Sequence, residues 1–391
     1  MTHPHATTHQ RASHGQPYRV MTRAVRLTLG RFLLVPIGAV IALVWANTAP
    51  ESYFQFSLRW SFLINEVAMA LFFALLAQEV YEATMPGGAL HSWRKWTLPV
   101  VAAAGGIAGA VATYLLYINS QFEPYRSTAW PIAVAIDAVA TYYVMKAILP
   151  RSGALPFALL LAIVTDIFGL LVVAPRHMVL QTRVGGATLV IAALVVAAVM
   201  RSLKVRAFWP YLLICGTTMW VAFYWEGLHP AFALVPIVPF LPHEARKLDV
   251  FADPRDDDAV HHAEHEWHLI VQPVVFMFAL VNAGVILRGY DTPTWGMLLA
   301  ALVGRPLGVL AATGLAVAAG LHLPHHFGWR ELLVVAFATA SGFSIALFFA
   351  TGVLATGPVL AAAKIGVIGS ALGALLAFGA AKLLKVGRFG A

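Results

Sequence analysis

Asp137, Asp166 and Arg305 each interrupt a long apolar run. A charge at the centre of a bilayer costs about 2.5–3.5 kcal/mol on insertion scales, so such groups mark ion or proton pathways. A buried carboxylate can hold a proton or a hard cation such as sodium or lithium, and Thr165 adds a neutral hydroxyl beside Asp166. Burial favours the protonated acid, while a nearby guanidinium favours the carboxylate. Such a group can hold either a proton or a cation. Arginine does not release its proton in a protein, so Arg305 is a permanent charge. With both aspartates ionised, the three groups carry one net negative charge, which one proton or one monovalent cation neutralises. Two acids and one fixed base point to an ion or proton pathway. A structural ion pair between Arg305 and one aspartate is the plain alternative.

These groups need elements that bring backbone and charge together. Pro131 stands six residues before Asp137, and Ser341, Gly342 and Ser344 lie in the middle of another apolar run. Broken helices at corresponding places in two halves of a transporter point to a midplane site. The surrounding composition requires a membrane: 60% of residues are hydrophobic and 11% charged, against about 25% charged in soluble proteins. Twelve apolar runs fall between residues 31 and 384, all but one near or above the length of about 20 residues that spans a bilayer as a helix. The fourth covers 129–148, the fifth 154–174, the ninth 267–287 and the eleventh 330–355; the eighth, 228–241, is short and contains Pro236 and Pro239. The fold class is therefore an all-α membrane protein with twelve transmembrane helices. Trp60, Trp93, Trp96, Trp209 and Trp295, at run ends, read as interfacial anchors.

The net charge of +8 comes from short loops, which excludes nucleic acid as the explanation and fits the positive-inside rule. Nineteen basic residues fall on the side of the N-terminal tail and five on the other, so both termini are expected in the cytoplasm. Residues 1–30 read as a disordered cytoplasmic tail without a signal-peptide pattern, 31–384 as the transmembrane domain, and 385–391 as a cytoplasmic C-terminus. Residues 242–266, acidic and then histidine-rich, read as a solvated cytoplasmic loop. His261 and His265 have helical spacing but lack further ligands for zinc. A single cysteine, Cys215, excludes an internal disulfide.

Eight fragments then share an order with one family: LINEVAMALFFALLAQEVYE (63–82), AWPIAVAIDAVA (129–140), LAIVTDIFGLLVVA (161–174), WEGLHPAFA (225–233), FALVNAGVIL (278–287), GRPLGVLAA (304–312), SGFSIALFFA (341–350) and AKIGVIGSALGA (363–374). The chain resembles the NhaA family of bacterial sodium/proton antiporters over nearly all of its length after residue 31, a family among those from which inverted repeats are known. The resemblance implies a secondary transporter, not an enzyme, of the bacterial inner membrane. It exchanges Na+ or Li+ for H+ and needs no cofactor, and its partners are the lipid bilayer, monovalent cations and protons. It implies inverted repeats in which spans 4 and 11 are unwound and cross. By motif position Asp166 falls on the cation-binding aspartate, and Asp137 on the aspartate that offsets the positive helix ends. Proton and cation would then compete for Asp166, the minimum that exchange requires, and the single net negative charge of the three groups makes the expectation one-for-one, electroneutral exchange. Arg305 falls on a lysine, His229 on a histidine linked to pH response, and Glu79 and Glu82 in the cytoplasmic pH-sensing region.

The departures are specific. Thr165-Asp166 replaces a pair of aspartates, Ile136 replaces a hydroxyl residue, and Tyr81, Glu82 and Ala83 replace a charged run. The segment between Asn47 and Ile64 is too short for the hairpin through which family members dimerise, which leaves a homodimer open. Two other functions remain open on this scaffold: a sodium-coupled carrier for an organic solute, and a non-transporting pH or ion sensor.

Overall fold

Lipid offers main-chain groups no partners, so an apolar chain of this kind closes its hydrogen bonds within helices. The structure, a computed structural model, describes residues 34–84, 93–150, 152–173, 184–205, 207–241, 261–324 and 327–390. Among these every regular element is helical. The expected tail 1–30 and residues 242–260 of the expected loop lie outside the described residues.

In chain order the helices that matter are α1 (Leu34–Thr48), α2 (Pro50–Gln78), α3 (Trp96–Ser120), α4 (Trp130–Val134), α5 (Ala138–Ile148) and α6 (Ala154–Val173). They continue with α7 (Gly185–Ser202), α8 (Thr217–Glu226), α9 (His261–Asn282) and α10 (Thr292–Ala318). The last three are α11 (Trp329–Ala338), α12 (Phe343–Val353) and α13 (Pro358–Phe389). By length and composition α2, α3, α6, α7, α10 and α13 can each cross a membrane. Two further pairs reach that length only together: Pro124–Val134 with α5, bent by 54°, and α11 with α12, bent by 45°.

Several boundaries differ from the sequence-based expectation. The fourth run does not break at Pro131, which sits at the start of α4, where a proline's missing N–H has no helical partner to lose. The interruption falls at residues 135–137. The eighth run is not a regular α-helix but two 3-10 segments, Pro230–Phe232 and Val235–Phe240; Pro230, Pro236 and Pro239 remove the donors that an α-helix needs. The ninth helix begins at His261, six residues before its run turns apolar, so residues 261–266 are helix. A single residue, Ala49, joins α1 to α2.

What places the charged residues is close backbone packing. α10 lies along α3 on a seam of glycines: a Cβ on Gly105 would collide with the Gly308 carbonyl, and one on Gly109 with the Gly304 carbonyl. In α6, a Cβ on Gly169 would meet the Phe349 ring of α12 at 2.6 Å. α10 also widens into a π-helical stretch at Ala300–Gly304, directly before Arg305 and Pro306. Pro306 has no N–H to complete the ladder, and local widening of this kind is frequent at functional positions.

Candidate cation site

Asp137 ends the first interruption and caps the helix after it. Its Oδ1 accepts from the Ala140 N–H at 2.9 Å, so it is the N-cap of α5. Its Oδ2 accepts from the N–H of Ser344 at 3.2 Å and from the Ser344 hydroxyl at 2.5 Å. Ser344 is in the first turn of α12, so one carboxylate serves the N-termini of two helices. Both ends carry partial positive charge from unpaired N–H groups, which the anion offsets. The Asp137 N–H in turn donates to the Ser341 carbonyl at 3.0 Å.

The opposite ends are treated differently. The Arg305 guanidinium, 1% exposed, donates through Nη2 to the carbonyls of Ala133 (2.6 Å) and Ala135 (2.9 Å) at the end of α4. These carbonyls form the negative end of that half-helix, where a cation is favoured. At the end of α11 the Ala338 carbonyl accepts from the Thr141 hydroxyl at 3.4 Å, a neutral donor. Gly342 allows the two interruptions to touch: a Cβ there would stand 2.6 Å from the Ala135 carbonyl. The Gly342 N–H donates to Ser370 Oγ at 3.2 Å.

Asp166 is 1% exposed in the middle of α6, and its charge acts directly on that of Arg305. Thr165 is equally buried, and its hydroxyl donates to the Leu161 carbonyl at 2.8 Å. The Thr165 proton is thereby held in the helix, which leaves the oxygen's lone pairs as acceptors. A carboxylate, a hydroxyl oxygen and interrupted main chain are oxygen donors of the kind that a hard monovalent cation takes.

The structure brings Asp137, Arg305, Ser341, Gly342 and Ser344 into one connected set, with Thr165 and Asp166 on the helix packed against it. His229 stands apart. It packs on the Phe348 ring of α12 with centroids 4.8 Å apart, and its Nδ1 lies 3.3 Å from Glu66 Oε2. The same Nδ1 accepts from the Ala231 N–H at 3.3 Å. One nitrogen cannot do both: accepting requires a free lone pair, whereas binding the carboxylate requires a proton. Glu79 and Glu82 lie on the helix that continues α2, and their side chains lie outside the described residues. Sequence reasoning missed Glu66, although an acid near the start of an apolar run was a visible signal. It also missed Thr141, which nothing in the sequence marks.

A family model described as Na+/H+ antiporter 1 matches residues 25–381. A protein named Na(+)/H(+) antiporter NhaA from Geotalea uraniireducens (strain Rf4) is 36% identical over 380 residues, covering 93% of this chain and 98% of the relative. Its namesake from Geobacter sulfurreducens (strain ATCC 51573 / DSM 12127 / PCA) is 34% identical over 380 residues, 93% of this chain and 99% of the relative. Among solved structures, the sodium proton antiporter MjNhaP1 from Methanocaldococcus jannaschii aligns with a TM-score of 0.56 over 96% of both chains. At 14% identity that likeness is one of fold.

Proposed function

This chain belongs to the Na+/H+ antiporter 1 family and exchanges Na+ for H+ as a secondary transporter of the bacterial membrane, and we propose that the exchange runs on Asp166. The observation that carries this reading is the burial of Asp166 within reach of the Arg305 charge, beside two interrupted helix pairs. A proton and a Na+ or Li+ ion compete for its carboxylate. Thr165 supplies a hydroxyl ligand, and backbone carbonyls near Ser341 and Gly342 supply further oxygens.

Asp137 and Arg305 act as fixed charges. Asp137 offsets the positive ends of α5 and α12, and Arg305 the negative end of α4; the 54° and 45° bends support reading α4 with α5, and α11 with α12, as the crossing, unwound spans of an inverted repeat within a twelve-span fold. Because Arg305 keeps its proton, the core holds one net negative charge when empty, and exchange is one-for-one and electroneutral. His229, with Glu66, together with Glu79 and Glu82, responds to pH. Both termini face the cytoplasm, as the distribution of basic residues supports. The direct link between α1 and α2 through Ala49 supports the reading that the family's dimerising hairpin is absent at that place.

The test is reconstitution into liposomes carrying an internal pH dye. Addition of Na+ or Li+ moves protons in the intact chain, and Asp166→Asn abolishes the signal. Exchange that survives Asp166→Asn overturns the assignment, and a rate that depends strongly on a clamped membrane voltage overturns electroneutrality.

A further inference from the structure

The five residues of α4 are too few to hold a helix by their own hydrogen bonds, so its position must come from its neighbours. At its end the tie is Arg305. At its entrance, in the 3-10 turn Pro124–Ala129, Arg126 Nη1 lies 2.6 Å from Asp291 Oδ2 and 3.2 Å from Glu123 Oε2. Arg126 Nε donates to the Tyr125 hydroxyl at 3.0 Å. The Arg126 carbonyl accepts from Tyr114 of α3 at 2.9 Å, and the Tyr114 ring lies where a Cβ on Gly296 of α10 would be 3.0 Å away. Asp291 is the N-cap of α10, where it closes a capping box with Thr294.

Two ties therefore run from α10 to the same short segment, from Asp291 to its entrance and from Arg305 to its exit. The 14 residue steps from Asp291 to Arg305 correspond to about 21 Å of helix. The π-helical stretch Ala300–Gly304 lies between the ties. The outer tie is the ionic one at the entrance, beside the Tyr114 contact, and the Arg305 contacts at the exit hold the Ala133 and Ala135 carbonyls.

We infer that Arg126 and Asp291 are positioning residues for exchange, an outer strap that keeps the Ala133 and Ala135 carbonyls in register with Arg305 and so sets the cation affinity of the Asp166 site. The inference rests on the reading of Asp166 as the exchanging carboxylate and Arg305 as its fixed partner. Neither strap residue touches the transported ion. Glu123 shares the guanidinium, but it lies on the same turn as Arg126 and ties nothing to α10.

The experiment compares the full chain with Arg126→Gln, Asp291→Asn and the double variant in proteoliposomes, with melting temperatures measured alongside. Asn at position 291 keeps an acceptor for the helix cap and removes only the charge. Each single change raises the apparent KM for Na+ by about threefold to tenfold while the maximal rate stays close to that of the intact chain, and the double variant is no worse than either single one, as for two residues acting through one contact. An unchanged KM in either single variant overturns the inference, as do effects that multiply in the double variant. A loss of maximal rate that follows the melting temperature while KM stays constant also overturns it. Asp166→Asn, measured in parallel, separates the two readings. Exchange surviving there removes the site itself, whereas its loss there, with strap variants that behave like the intact chain, removes the strap alone.

Discussion

Asp137 and Ser344 are 207 residues apart in the chain, yet the Asp137 carboxylate takes both the N–H and the hydroxyl of Ser344 while capping its own helix through Ala140. A lost N-cap costs about 0.5–2 kcal/mol, and a buried N–H left without an acceptor about 1–3 kcal/mol. Asp137→Ala removes the acceptor for both helices and lowers the melting temperature of the detergent-solubilised protein by several degrees. Asp137→Asn keeps an acceptor but not the charge, so it folds nearer to the intact protein and exchanges more slowly. Equal melting temperatures for Asp137→Ala and the intact chain would show that the double cap is not structural.

Gly342→Ala places a methyl group where the Ala135 carbonyl already stands, 2.6 Å from the new carbon. Both are main-chain neighbours at the point where the interruptions meet, so neither can yield without moving a helix. Exchange falls by at least tenfold and the melting temperature drops. Gly185→Ala is the matched control. Nothing lies within 4 Å of a Cβ at that position, and alanine is favoured over glycine in a helix by about 1 kcal/mol, so its melting temperature is equal or higher.

Arg305 donates to two carbonyls through one nitrogen, a pairing that a lysine ammonium can imitate while also becoming able to release a proton. Arg305→Lys retains exchange, and Arg305→Met, which leaves both carbonyls without their donor, loses it. Combined with Thr165→Asp, Arg305→Lys adds a second acid and a releasable proton, and the prediction is that exchange becomes voltage-dependent. Flux recorded under a potassium–valinomycin clamp decides the matter: a rate for the double variant that is flat with voltage rejects the charge count.

Bound sodium stabilises the folded protein by mass action, by about 2.7 kcal/mol at one hundred times the dissociation constant. A sodium titration followed by melting temperature therefore shows a rising curve for the intact chain and a flat one for Asp166→Asn. A curve that rises equally in both places the ion elsewhere.

Burial pushes the Asp291 carboxyl up, but the Thr292 N–H and the Arg126 guanidinium outweigh that and hold it below the usual carboxylate range. A carboxyl with a folded value below its unfolded one stabilises the protein fully above the unfolded value, about 3.9 for aspartate, and loses that contribution as pH falls through the folded value. The melting-temperature gap between Asp291→Asn and the intact chain is therefore constant from pH 6 to 9 and closes only in acid below about pH 4. A gap that already changes between pH 6 and 9 would show that another group titrates in the strap.

Charges in apolar runs were legible in the sequence because their cost makes them conspicuous, and Asp137, Asp166 and Arg305 do lie buried in the interior. The interruption at Ser341-Gly342 was legible for a local reason, since glycine beside hydroxyls weakens a helix. The interruption before Asp137 was placed too early, because Pro131 can start a helix as well as break one and only its neighbours decide which. The eighth run could not be read as 3-10 turns from hydropathy, which registers apolar character and is blind to missing donors. Pairings such as Arg126 with Asp291 and Glu66 with His229 join residues more than 160 positions apart; no local pattern encodes them.

Between α3 and α10, two bare backbones meet at Gly105, Gly109, Gly304 and Gly308, and sliding either helix by a residue would drive a methyl or larger group into a carbonyl opposite. Such a surface works like a keyed joint with a single seating. The height at which the guanidinium of Arg305 sits along α3 is thus fixed from behind, by four missing side chains.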